Sequence, residues 1–112
     1  MSEERIPLEK TIVARIVGKL KLAGYPFVYK THGSAYQMSG IPDITTIARN
    51  GRFVGMEVNR PKLGRLTPIQ AATLNRITEA GGYAAVVTSV EEAMDAMARA
   101  EAGTPSEVIG IK

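Results

Sequence analysis

Asn50-Gly51 constrains this chain more than any other pair of residues. Both residues tolerate the left-handed backbone that a tight hairpin demands, and alternating residues flank them on each side. The pattern predicts strands over 43–48 and 52–59, and Asn50-Gly51 between them is the signal of a two-residue turn. Asp43 then opens the first strand and Glu57 stands late in the second. On the second strand Phe53, Gly55, Glu57 and Asn59 share one face, and Val54, Met56 and Val58 share the other. Pairing across the turn brings Asp43 and Glu57 into one neighbourhood. Two carboxylates held close repel unless something positive lies between them, and a divalent cation with oxygen ligands is the usual answer.

The other elements read as a scaffold for that pair. Residues 7–23 predict a helix, with Pro7 in its first turn, an apolar stripe of Leu8, Ile12, Val13, Ile16, Val17 and Leu20, and Gly24 as the stop. Glu9 breaks the stripe on the side of Val13, Ile16 and Leu20. Alone it reads as an acid favoured by the helix dipole; beside the hairpin carboxylates it reads as a third acid aimed inward. Tyr25 to His32 alternates as a strand, and a polar loop follows from Gly33 to Pro42. His32, the one histidine, stays outside the expected metal site. Thr67, Pro68 and Gln70 mark a capped helix start. Gln70 also aligns with Leu74 and Ile77, so capping and an inward role stand level. Tyr83 to Thr88 is an apolar strand, and Ser89 to Glu92 is a second capping box before a Met- and Ala-lined helix. Val108, Ile109 and Ile111 leave the tail open as an edge strand or a packing segment. The expected order is αβββαβα: an α/β fold with a mixed central sheet flanked by helices.

A chain of 112 residues suits one domain spanning 1–112, with a core of about 7–102 and a tail of 103–112. It has no cysteine, hence no disulfide and no thiolate metal site. No apolar run approaches a membrane span and no secretory leader is visible, so a cytoplasmic protein with no membrane partner is expected. Net charge is +3, mildly favourable for a polyanion. Arg49, Arg52, Arg60, Lys62 and Arg65 crowd the hairpin and the loop after it. They read as phosphate contacts beside the carboxylates or as a solvated loop, with two or three expected on DNA.

Glu9, Gly40-Ile41-Pro42-Asp43, Glu57-Val58-Asn59 and Thr67 to Gln70, in that order, resemble the PD-(D/E)XK nucleases. Within them the chain is similar to the stand-alone, phage-type form of the virus-type replication-repair nuclease (VRR-NUC) domain. The resemblance runs from Glu9 to about residue 95 and implies a restriction-endonuclease-like fold. It implies Mg²⁺ or Mn²⁺ held by Asp43, Glu57 and the Val58 carbonyl, with Glu9 nearby directly or through water. Gln70 matches the glutamine on the helix after the catalytic strand. Such an ion acidifies a water and neutralises charge on the scissile phosphate.

One position departs from the pattern: the family expects Glu-x-Lys, and this chain has Asn59. Losing a well-placed electrostatic donor costs about 10²–10³ in rate. Asn59 is then an introduced active-site substitution, a natural variant that recruits Lys30 or Lys62, or the mark of a chain that binds without cutting. The resemblance further implies a homodimer that cuts branched DNA such as four-way (Holliday) junctions, in a phage or bacterial setting. The alternatives are a DNA-junction binding module with little or no cleavage, and a plain α/β domain in which Asp43 and Glu57 are a metal-free surface pair.

Overall fold

The computed structural model describes residues 5–32 and 39–106. The elements are α1 (Glu9–Leu22), β1 (Val28–Lys30), β2 (Ile44–Ile47), β3 (Phe53–Val58), α2 (Pro68–Glu79), β4 (Tyr83–Val87) and α3 (Val90–Glu101). This is the expected order and class. The four strands lie in chain order, antiparallel except for β3 and β4, which run parallel and are joined through α2. Parallel neighbours need such a crossover, and a helix supplies it.

The two faces of β3 have different partners. Val54, Met56 and Val58 are fully buried and join Ile12, Val13, Ile16 and Leu20 of α1 with Ala93, Ala96 and Met97 of α3 in one apolar cluster. The opposite face meets α2. Gly55 lies so close to that helix that a Cβ on it would stand 2.8 Å from Ile77 Cδ1. α2 begins as its sequence demands: Pro68 is in the first turn, and Thr67 and Gln70 form a complete capping box. The box before α3 closes differently. Ser89 accepts from the Glu92 N–H at 3.1 Å, but the Glu92 carboxylate reaches past it to the Thr88 N–H at 2.6 Å and the Thr88 hydroxyl at 2.8 Å.

Three local details differ from expectation. α1 starts at Glu9 rather than residue 7, because Pro7 and Leu8 are drawn into an extended lead-in; the Pro7 carbonyl accepts from Arg60 Nε at 2.9 Å. β1 is three residues long, since Tyr25 leaves the strand path for the core and Pro26 lacks an N–H to donate. The hairpin loop has three residues, 49–51, as the expected strand bounds leave, rather than the two of an Asn50-Gly51 turn. Ile47 pairs with Phe53, the Ala48 N–H donates to the Arg52 carbonyl at 2.9 Å, and Gly51 takes the left-handed conformation at φ +84°.

That extra loop residue decides the site. The observed register pairs Ile44 with Met56, and one step further on it sets Asp43 opposite Glu57. Directly paired residues point to one face of a sheet. A two-residue loop closing Arg49 on Arg52 would slide the register by one, set Asp43 against Val58 and send the two carboxyls to opposite faces.

Of the expected tail, Ser106 is held by its hydroxyl against Thr78 Oγ1 at 2.6 Å. Val108, Ile109 and Ile111 lie outside the described residues, as does most of the 33–42 loop. No helix among the described residues is long and apolar enough to cross a membrane.

Candidate metal centre

The Gly40-Ile41-Pro42-Asp43 approach is locked on both sides. Gly40 has φ +80°, and a Cβ there would lie 2.8 Å from the Ile69 carbonyl oxygen, so the chain presses against the first turn of α2. From the other side Thr31 donates its hydroxyl to the Pro42 carbonyl at 2.6 Å and its N–H to the Asp43 carbonyl at 2.9 Å. Asp43 Oδ2 in turn accepts from the Val58 N–H at 2.7 Å. An extended residue turns its N–H and C=O to the same edge of the strand, so the Val58 carbonyl also lies on the Asp43 side.

Glu57 faces Asp43 from beneath α2 and is only 2 % exposed. It is therefore no surface pair. Its Oε1 accepts from Gln70 Nε2 at 2.9 Å, while Oε2 is buried with no hydrogen-bond partner. Burial, then the Asp43 carboxyl beside it and the charge of Glu9, push the Glu57 carboxyl up to about 9. Glu9 stands in the exposed first turn of α1. Its carboxyl is raised by partial desolvation and then by the charge of Asp43. The third acid is thus within electrostatic reach of the other two.

Gln70 fills both of its expected roles at once. Its Oε1 accepts the Thr67 N–H at 2.9 Å, which turns Nε2 toward Glu57. A carboxylate cannot donate, so two ionised carboxyls in this arrangement leave Oε2 without satisfaction; a proton or a cation is what the pair lacks. Among the described residues no three Asp, Glu, His or Cys side chains form a closed cation cage. Mg²⁺ does not need one, because it keeps several waters and takes one or two carboxylates. Asp43, Glu57 and the Val58 carbonyl fit such a hydrated ion, with Glu9 at its margin.

A solved structure described as a VRR_NUC domain protein superposes on the chain as a whole with a TM-score of 0.73, covering 97 % of this chain and 100 % of that one at 13 % identity. The fold is that of the VRR-NUC domain. No family model matches the sequence, and no curated protein does. The likeness rests on shape: strands and helices agree along nearly the whole chain while seven residues in eight differ.

Within the VRR-NUC fold the expected cations separate into two groups. Arg49 and Arg52 sit at the turn end of the hairpin, roughly 16–20 Å of strand away from the carboxyls. They are not beside the acids, because a hairpin puts its turn opposite its open end. Arg49 stacks on the Tyr25 ring at 4.4 Å and donates to the Ala23 carbonyl at 2.7 Å. Arg52 clamps the carbonyls of Gly81, Gly82 and Thr104 and lies over Tyr83. Arg60 donates to the carbonyls of Ile6 and Pro7. These guanidiniums hold chain segments together.

Lys62, Arg65 and Lys30 are exposed. Lys30 pairs with Ile44 and leaves the sheet on the face away from Asp43, which places it poorly to replace the missing lysine. Asn59 continues the ladder through its N–H to the Val87 carbonyl at 3.0 Å, and Gly64 folds back onto its side chain. Two contributions escaped the sequence reading: Thr67 as the group that orients Gln70, and Gly40 as a contact with α2. The glycine before Pro-Asp was the available signal for the second.

Proposed function

We propose that this protein is a metal-dependent, structure-selective DNA endonuclease acting on branched DNA such as four-way (Holliday) junctions. The carrying observation is the buried, unpartnered Glu57 Oε2 set opposite Asp43 on a nuclease-type fold. A bound Mg²⁺ or Mn²⁺ would supply an acidified water and neutralise charge on the scissile phosphate. The chain's own residues do the rest. The Val58 N–H fixes Asp43, Gln70 fixes Glu57, and α2 with Thr67 fixes Gln70, so the acids are oriented before any ligand arrives. Exposed Lys62 and Arg65 are the phosphate contacts that the original cluster retains.

Cleavage of an end-labelled four-way junction in Mg²⁺ or Mn²⁺ tests the reading. Nicking that disappears with EDTA is expected; cutting that persists in EDTA would exclude it. Asn59 favours one second reading, a junction-binding module with little cleavage, because asparagine brings no positive charge to the site.

A homodimer belongs to the same proposal. Tyr29 and Phe53 are 47 % and 40 % exposed, and by register they share with Thr45 the part of the α2-bearing sheet face that the helix leaves open. An apolar groove of about 400 Å³ opens there between Ile41, Pro42, Phe53 and Ile77. Exposed apolar surface of this kind marks association sites. Sedimentation velocity at micromolar concentration is expected to read about twice the 12.0 kDa chain mass, and to fall to one chain for Phe53→Glu. A single-chain species for the unaltered protein removes the dimer. The setting consistent with this activity is replication or recombination in the cytoplasm of a phage-infected or bacterial cell.

A further inference from the structure

A second cleft, of about 450 Å³, lies between the lead-in to α1 and the loop after β3, lined by Arg5, Ile6, Pro7, Pro61 and Lys62. Its walls are more than fifty residues apart in the chain and are stitched by one side chain. Arg60 donates Nε to the Pro7 carbonyl at 2.9 Å and Nη2 to the Ile6 carbonyl at 3.0 Å. The loop wall is a closed turn: the Gly64 N–H bonds to the Arg60 carbonyl at 2.9 Å and the Leu63 N–H to that of Pro61 at 2.8 Å. Lys62 stands at its tip with φ +65°, the one non-glycine residue at positive φ among those described. A bulky residue held there is strained, and strain of this kind gathers at binding sites.

Two of the five lining residues are cations, and none is acidic. The cleft borders the acids on both sides in the chain, since Arg5 precedes Glu9 by four residues and Lys62 follows Glu57 by five. A polyanion approaching three carboxyls needs compensating charge close by. Arg49 and Arg52 are at the far end of the hairpin, and the Arg60 guanidinium is engaged on carbonyls. Within this cleft Arg5 and Lys62 are left to meet it, beside the exposed Arg65 further along the loop. We propose that this cleft is a phosphodiester subsite, seating the backbone phosphate next to the one presented to Asp43 and Glu57. This rests on the nuclease reading and adds to it a defined contact, with Arg60 as its strut and Arg5 as a ligand that the hairpin cluster did not include.

The test pairs the double variant Arg5→Gln, Lys62→Asn with four-way junctions carrying a single neutral methylphosphonate at successive positions around the cut, with binding measured in EDTA. Asparagine tolerates positive φ, so the loop keeps its turn. One methylphosphonate is expected to weaken binding to the unaltered chain by roughly tenfold. The double variant should lose a similar factor on unmodified DNA, with a salt slope shallower by about 0.9, the value for one neutralised phosphate. In the double variant the same methylphosphonate should cost nothing further. Losses that multiply, or an unchanged slope, overturn the subsite and leave the nuclease reading standing. No junction binding by the unaltered chain overturns both.

Discussion

Glu57→Gln is expected to give a protein that is more stable without metal, blind to Mn²⁺ and inactive. The Glu57 carboxyl is raised from 4.5 to about 9 by burial and by Asp43 and Glu9. The folded chain therefore holds a proton there across a window in which the unfolded chain has released it. For a raised carboxyl the contribution to stability is complete below pH 4.5 and is lost as pH climbs toward 9. Each pH unit in that window removes about 1.4 kcal/mol, so at pH 7 the site costs ~2–3 kcal/mol once its coupling to Asp43 is discounted. Glutamine carries no such proton. Its oxygen keeps the bond from Gln70, and its amide can donate where Oε2 has no partner. Denaturant melts should show the variant more stable at pH 7, with a flatter pH profile between 5 and 9. Cleavage should fall by at least about 10³, as it does when a group central to charge stabilisation is removed. A variant less stable than the parent at pH 8, or still able to cut, would contradict the assignment.

Asn59→Lys is the second large effect, in the opposite direction. Residue 59 lies two positions after Glu57 on the same face, and Gly64 leaves its side chain the only room that the returning loop allows. A lysine ammonium there adds a donor and a charge where negative charge grows on the phosphate. The junction-cutting rate should rise by about 10²–10³. The same charge favours ionised Glu57, so the active range should extend to lower pH. Equal cutting by both chains would mean that another cation already serves, and Lys62 is then the residue to replace. Binding without cutting by both would favour the junction-binding module.

Much of this fold is written in local signals. The capping box at Thr67 and Gln70, the glycine stops and the apolar stripe of α1 each act within one or two turns of chain, and each is found in place. What the sequence could not show depends on contacts across the fold. Asn50-Gly51 predicts a turn, but its length is set by Asn50 Nδ2 bonding the Ala100 carbonyl at 3.0 Å and by Arg49 packing on Tyr25. The first exists only once α3 has docked and the second only once Tyr25 is in place, and both are made by the loop whose register aligns Asp43 with Glu57. The arginines were misread for the same reason. A guanidinium near a carboxylate in sequence looks like a ligand for DNA until its partners are visible, and Arg49, Arg52 and Arg60 find theirs on carbonyls 26 to 54 residues away. The double role of Gln70 was half legible. Its cap is local, whereas its bond to Glu57 needs α2 to lie against β3.

The central claim is that Asp43 and Glu57 form a cation site whose resting state holds a proton. Calorimetric titration with Mn²⁺ at pH 7, in two buffers of different ionisation enthalpy, tests it most directly on the unaltered chain and on Glu57→Gln. Metal ligands must be deprotonated, so binding to a protonated glutamate releases its proton. The expected result is saturable binding by the unaltered chain with about one proton released per ion, and no binding by the variant. Binding that is the same in both chains would place any metal elsewhere and remove the site.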